Sequence, residues 1–194
     1  TISHYEVPFN LTKKWNSWVD RRMIDCYLRF CKAIFTRYKG KVKYWLTFNE
    51  INSATTPMGG FLSQGILNEI KAMDFMDQVD NPNNRFQGLH HQFLASALAV
   101  KMAHEIDPNN QVGCMQIMAT SYALTCHPEV EIVNQQKGHL MNWFCSDVQC
   151  RGKYPNYIKR YFKDNNITVH MEPGDDDILA AGPVDFYTCY LTLL

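Results

Sequence analysis

One stretch constrains the fold more than any other: Val42-Lys43-Tyr44-Trp45-Leu46-Thr47-Phe48-Asn49-Glu50-Ile51-Asn52. An apolar, aromatic run suited to a buried strand breaks abruptly into an amide, a carboxylate and a second amide. Burying a carboxylate at a strand end costs several kcal/mol unless a partner compensates it. Perturbed acids also gather where chemistry is done. The competing reading is a solvated Asn-Glu turn after an ordinary core strand, and the flanking sequence has to decide between them.

On both sides of this stretch lie long helical patterns. Asp20 to Lys39 repeats apolar residues at Met23, Tyr27, Phe30, Ile34 and Tyr38, with Asp20 as the expected N-cap and Gly40 as the left-handed stop. Gln87 to Ile106 is rich in Ala and Leu and ends at Asp107-Pro108. Thr1 to Pro8 reads as a short strand, closed by a residue that cannot donate to a ladder. Gln111 to Met118 and Val184 to Leu191 read as two more strands. A helix is expected from His127 onward and a short one from Tyr157 to Asn165, with loops over 11–19 and 147–157.

Strands therefore alternate with segments long enough for crossovers, the signature of a parallel sheet. Repeated right-handed crossovers build an open doubly wound sheet or a closed barrel. Neither G-x-G-x-x-G after the opening strand nor G-x-x-x-x-G-K-[ST] occurs, which argues against a nucleotide-binding sheet. In a (β/α)₈ barrel, chemistry sits at the C-terminal strand ends. His4 and Glu6 lie at one such end, Asn49 and Glu50 at the next. Two successive strands thus offer polar groups to one rim. The stretch 51–85 mixes Gly, Asn, Met and acidic residues without a period, as a lid or binding loop would, or a mobile linker.

Composition narrows the class. The 194 residues are 46% hydrophobic, an ordinary globular content in a length that suits one domain or part of a larger one. Nineteen basic residues balance nineteen acidic ones, so no global field would draw nucleic acid or an anionic membrane. No run approaches the ~18 apolar residues of a membrane helix. Seven scattered cysteines include only one close pair, Cys145 and Cys150, with no second pair or nearby His to complete a zinc set. They read as reduced thiols of a cytoplasmic protein. His90 and His91 are adjacent on a helix and face different ways, which speaks against a shared metal. Glu6 reads as a salt-bridged rim residue. Trp143 and Phe144 read either as the floor of a binding site or as core. The Met58, Met73 and Met76 group reads as packing.

The segments TISHYEVP, WNSWVDRRMID, VKYWLTFNEIN, NRFQGLHHQFLASALAVK and GPVDFYT, in this order and spacing, resemble the middle of a family-one glycoside hydrolase. The likeness is nearest to bacterial 6-phospho-β-glucosidases and runs essentially end to end. It implies a (β/α)₈ TIM barrel, of which residues 1–194 would form one partial domain carrying strands three to six. It also implies a retaining β-glycosidase acting on a phosphorylated β-glucoside, with no metal or organic cofactor. By that likeness Glu50 matches the acid/base residue and Asn49 the amide that holds the sugar 2-hydroxyl. His4 matches the histidine that binds the glycone, and Tyr5 stands in the place of its aromatic neighbour. Tyr190 corresponds to the tyrosine that contacts the nucleophile.

The mechanism accounts for those residue types. Retention needs two carboxyls about 5–5.5 Å apart, one protonated to meet the leaving oxygen and one ionised to attack the anomeric carbon. Departures from the family pattern are equally informative. Its nucleophile lies on the seventh strand in a Thr-Glu-Asn-Gly context, which this chain does not supply. Glu172, within Thr168 to Gly174, mimics that context but precedes the sixth strand and is rejected. The first-strand Gln, the second-strand Arg and the phosphate-cradling loop are also missing, and Asn16 to Arg21 replaces the usual Gly-Gly-Trp-x-Asn-Arg. The chain reads as the middle of a longer protein and is expected to be inactive alone. The rival readings are an inactive fragment or half-barrel that folds or works only by association, with a homo-oligomer covering its open edges as the expected partner state, and a sugar-binding pseudoenzyme.

Overall fold

The computed structural model describes residues 1–71 and 74–192. Three parallel strands form the sheet: β1 (Tyr44–Leu46), β2 (Gln111–Ala119) and β3 (Phe186–Thr192), in the order β1-β2-β3. Leu46 pairs with Gly113, and Gly113 in turn with Phe186. Eight helices surround or connect them: α1 (Phe9–Trp15), α2 (Arg22–Arg37), α3 (Pro57–Leu62), α4 (Pro82–Ile106), α5 (Pro128–Gly138), α6 (Phe144–Arg151), α7 (Asn156–Asp164) and α8 (Asp175–Ala181).

The expected first strand shrinks to one bridge, Ser3 with Phe48. Ile2 and Ser3 donate to the Leu46 and Thr47 carbonyls, and Asn49 donates back to Ser3. Tyr5 then enters the left-handed region at φ 72°, which ends any extended run. These contacts place the N-terminal segment beside β1 as a fourth position in the sheet.

Helix α2 buries Met23, Ile24, Tyr27, Cys31 and Phe35; of the expected stripe Met23 and Tyr27 are buried and Ile34 packs half-buried against the core. Phe30 and Tyr38 face solvent instead. The caps fall inside the expected ends, at Arg21 and Tyr38; Asp20 still accepts from the Arg22 amide and Gly40 is left-handed at φ 71°, two residues past the C-cap. Helix α4 is buried along most of its length, which suits its Ala-rich composition. Helices α1 and α3 fall where loops were expected, α8 lies in a stretch given no element, and a π-turn at His139–Trp143 fuses α5 and α6 into one run through Arg151, so the first part of the loop expected over 147–157 is helical. Met73 lies outside the described residues, while Met58 and Met76 are exposed, so they do not pack as expected.

The two sheet faces differ. Trp45 packs edge-on against Phe35 of α2, and Val112, Cys114 and Gln116 are buried beneath the helices. On the other face Tyr44 meets Phe186 at 6.0 Å, and a Cβ on Gly113 would run into the Phe186 ring. That face is open: Tyr44 is 66% and Tyr190 60% exposed.

Candidate active site

All strands run parallel, so their C-terminal ends share one rim. β1 ends at Leu46, paired with Gly113, and the chain then shifts: the Thr47 N–H still donates to the Gly113 carbonyl, whereas the Asn49 N–H turns the other way, to Ser3. Ile117 of β2 pairs with Tyr190 on its other side.

Glu50 does not continue β1. Its backbone is left-handed at φ 42°, ψ 50°, a conformation that non-glycine residues adopt rarely and mainly where their surroundings enforce it. Its amide donates to the Met115 sulfur at 3.3 Å, and its carbonyl accepts from Ser53 at 2.8 Å. The turn swings the half-buried carboxylate onto the rim, where the Tyr5 hydroxyl donates to Oε2. Burial and then the adjoining Glu50 carboxylate push the Tyr5 hydroxyl up to about 12, so it remains a donor at neutral pH. Asn49 is buried to 6% exposure immediately before Glu50. His4 is exposed and packs edge-on to Tyr5 with centroids 5.5 Å apart. His4, Tyr5, Asn49 and Glu50 are thus brought to one corner of the rim, while Tyr190 stands apart on the open face.

Other expectations change. Glu6 is exposed and makes no ion pair among the described residues. Phe144 is core at 1% exposure, whereas Trp143 is half exposed. His90 and His91 do diverge: His90 contacts Tyr154 and Asp175, His91 the Trp18 carbonyl and Gln87. No helix among the described residues is long and apolar enough to cross a membrane.

Sequence reasoning noted Asn52 as a second amide after the strand but gave it no role. It is fully buried, with three hydrogen bonds that tie the turn after Glu50 to β2 and to the π-turn.

A parallel sheet covered by helices on one face, with a carboxylate lifted onto the C-terminal rim, fits a segment of a (β/α)₈ barrel. The profile of Glycosyl hydrolase family 1 matches residues 1–192, and the chain belongs to that family. A 6-phospho-beta-glucosidase of Clostridium longisporum is 44% identical over 186 residues, covering 96% of this chain and 37% of that protein. Aryl-phospho-beta-D-glucosidase BglH of Bacillus subtilis is 41% identical over 198 residues, covering 100% and 39%. The chain thus spans under two fifths of the length of these relatives. Among solved structures, the AHE enzyme of Alicyclobacillus herbarius superposes with TM-score 0.78 at 19% identity, over 97% of this chain and 40% of its own. The GH1 beta-glucosidase of Exiguobacterium antarcticum B7 does so with TM-score 0.76 at 23% identity and the same coverage. At these identities the superpositions carry the fold.

Proposed function

We propose that this chain is the acid/base portion of a retaining β-glycosidase that hydrolyses 6-phospho-β-glucosides. The observation that carries this is the left-handed Glu50 turn, which takes the carboxylate off the ladder and presents it at the rim beside Asn49. Glu50 protonates the leaving oxygen and then, as carboxylate, draws the proton from the attacking water. Tyr5, kept protonated, orients that carboxylate through its hydroxyl hydrogen bond. Asn49 and His4 bind the glycone hydroxyls, and Tyr190 reaches from the open face toward the second carboxylate. That carboxylate, the nucleophile, comes from outside residues 1–194. The phosphate preference rests on the names of the relatives. The seven unpaired cysteines support a cytoplasmic setting.

The test is a hybrid barrel in which residues 1–192 replace the matching segment of the Clostridium longisporum 6-phospho-beta-glucosidase. The hybrid turns over an aryl 6-phospho-β-glucoside, and Glu50→Gln lowers kcat/KM by about 10²–10⁴-fold for a poor leaving group. The 194-residue chain alone shows no turnover. A Glu50→Gln hybrid as active as its parent would overturn the reading.

The open face favours a second reading, a half-barrel that self-associates. Tyr44 and Tyr190 stand exposed on a sheet type normally covered on both faces. Sedimentation of the chain would then show a dimer; a monomer with a cooperative melt would contradict it.

A further inference from the structure

The backbone leaves β1 after Leu46, yet the N–H and C=O of Ile117 on β2, beyond the last β1 pair, are not abandoned. Ile117 N donates to Asn52 Oδ1 at 3.0 Å, and Asn52 Nδ2 donates to the Ile117 carbonyl at 2.7 Å. A primary amide carries the same donor and acceptor as a peptide unit, so Asn52 replaces the missing strand residue with its side chain. The second Nδ2 proton reaches the Met141 carbonyl at 2.7 Å, inside the π-turn. All three contacts converge on a side chain of 0% exposure. One step further along β2, Asn142 repeats the device: its Oδ1 accepts from Ala119 N at 3.1 Å and its Nδ2 donates to the Ala119 carbonyl at 2.9 Å.

We infer that Asn52 is the positioning residue for Glu50: by satisfying Ile117 of β2 where the β1 backbone has departed, it lets Glu50 turn left-handed and fixes its carboxylate against Tyr5. The catalytic meaning rests on the glycosidase reading; the geometric claim does not. Without this amide, two partly buried carbonyls and one partly buried N–H lose their partner. The cheapest repair is for residues 49–52 to fall back into the ladder, which draws Glu50 away from the rim. Asn142 sits beyond the turn, on Ala119, and serves as a control that removes two hydrogen bonds from the same strand end without touching residues 49–52.

The test uses the intact chain and needs no turnover, so failure of the glycosidase reading would leave its result standing. Tyrosine ¹³Cζ is labelled, Tyr5 is assigned by Tyr5→Phe, and its titration is followed by NMR. In the unaltered chain Tyr5 is expected to titrate above the ordinary tyrosine value, raised by burial and then by its hydrogen bond to Glu50. In Asn52→Ala it moves back towards the ordinary value near 10. In Asn142→Ala it stays in place. An equal response of the two variants, or none in Asn52→Ala, would overturn the inference. Should Asn52→Ala not fold, Asn52→Ser and Asn142→Ser give the same comparison with one donor and one acceptor retained.

Discussion

Asp175 and Glu50 are both acids within the first turns after irregular segments, and the chain treats them in opposite ways. Asp175 is 1% exposed and fully engaged. Arg21 donates to both its oxygens at 3.0 and 2.5 Å, His90 meets it at 2.9 Å, and the Glu172 amide adds a fourth bond at 2.8 Å. Despite burial, the Arg21, His90 and Glu172 partners hold its carboxyl well below the usual carboxylate range. With the proton on His90 Nε2, the ring donates to Asp175 while Nδ1 accepts from the Tyr154 hydroxyl at 3.0 Å, so this buried imidazole is also satisfied. The network joins the approach to α2, the first half of α4, the start of α8 and Tyr154 into one block. Glu50, by contrast, is half-buried, held on strained backbone, and its carboxylate takes one hydroxyl, that of Tyr5. A carboxylate with all its lone pairs engaged holds helices together. One with free lone pairs, maintained at a cost in backbone conformation, is available to a ligand.

The contrast can be broken most sharply at Asp175. Asp175→Ala removes the shared partner of Arg21 and His90. Breaking a buried ion pair costs ~3–5 kcal/mol. Arg21 keeps Glu172 at 3.3 Å and is 31% exposed, so the low end, about 3 kcal/mol, is expected in urea unfolding. Glu50→Gln should cost less than about 0.5 kcal/mol, as for a substitution outside the core network. Equal losses at the two sites would erase the distinction.

Acid comes next in size. Burial lowers His90 and His91 below the ordinary histidine value, so the unfolded chain binds protons that the folded one refuses. Stability is therefore complete above about pH 6.5 and declines as pH falls through that unfolded value. The Asp175 contribution is present above its unfolded value near 3.9 and is lost as pH drops below it towards the depressed folded value. Urea midpoints between pH 7 and pH 3 should fall in two stages, and Asp175→Asn should flatten the lower one. A midpoint constant from pH 7 to pH 3 would contradict this.

The smallest effect belongs to Tyr5. Tyr5→Phe deletes one hydrogen bond at a half-buried rim, worth about 0.5–1.5 kcal/mol at most, and should barely move the melt. In the hybrid barrel the same change should shift the alkaline limb of the pH–rate profile, which follows deprotonation of the general acid, while KM stays within about twofold. A large loss of stability with no change in that limb would make Tyr5 a packing residue.

Much of the fold was legible because burial writes periodicity into long elements. β1, β2 and β3, with α2, α4 and α7, follow the runs that announce them. The short helices α1, α3 and α8 have too few residues for a period, and their ends are set by contacts far along the chain, such as Arg21 with Asp175. The stripe of α2 was partly misplaced because Cys31, a small residue, carries the buried row that Phe30 does not. Thr1 to Pro8 has strand propensity but pairs on one side and breaks at Tyr5, so it stays a bridge. At the site, Asn49 and Glu50 were readable as polar residues ending an apolar strand. The Tyr5 contact with Glu50 and the Asn52 amide were not, because each depends on register between strands that sequence order does not reveal.

The central claim, that Glu50 delivers the proton to the leaving group, is tested most directly by leaving-group dependence in the hybrid barrel. With Glu50→Gln, aryl 6-phospho-β-glucosides whose phenols are strongly acidic need no proton and should keep most of their rate of glycosidic cleavage. Weakly acidic phenols should lose about 10²–10⁴-fold. A loss that is the same for every leaving group would contradict the account.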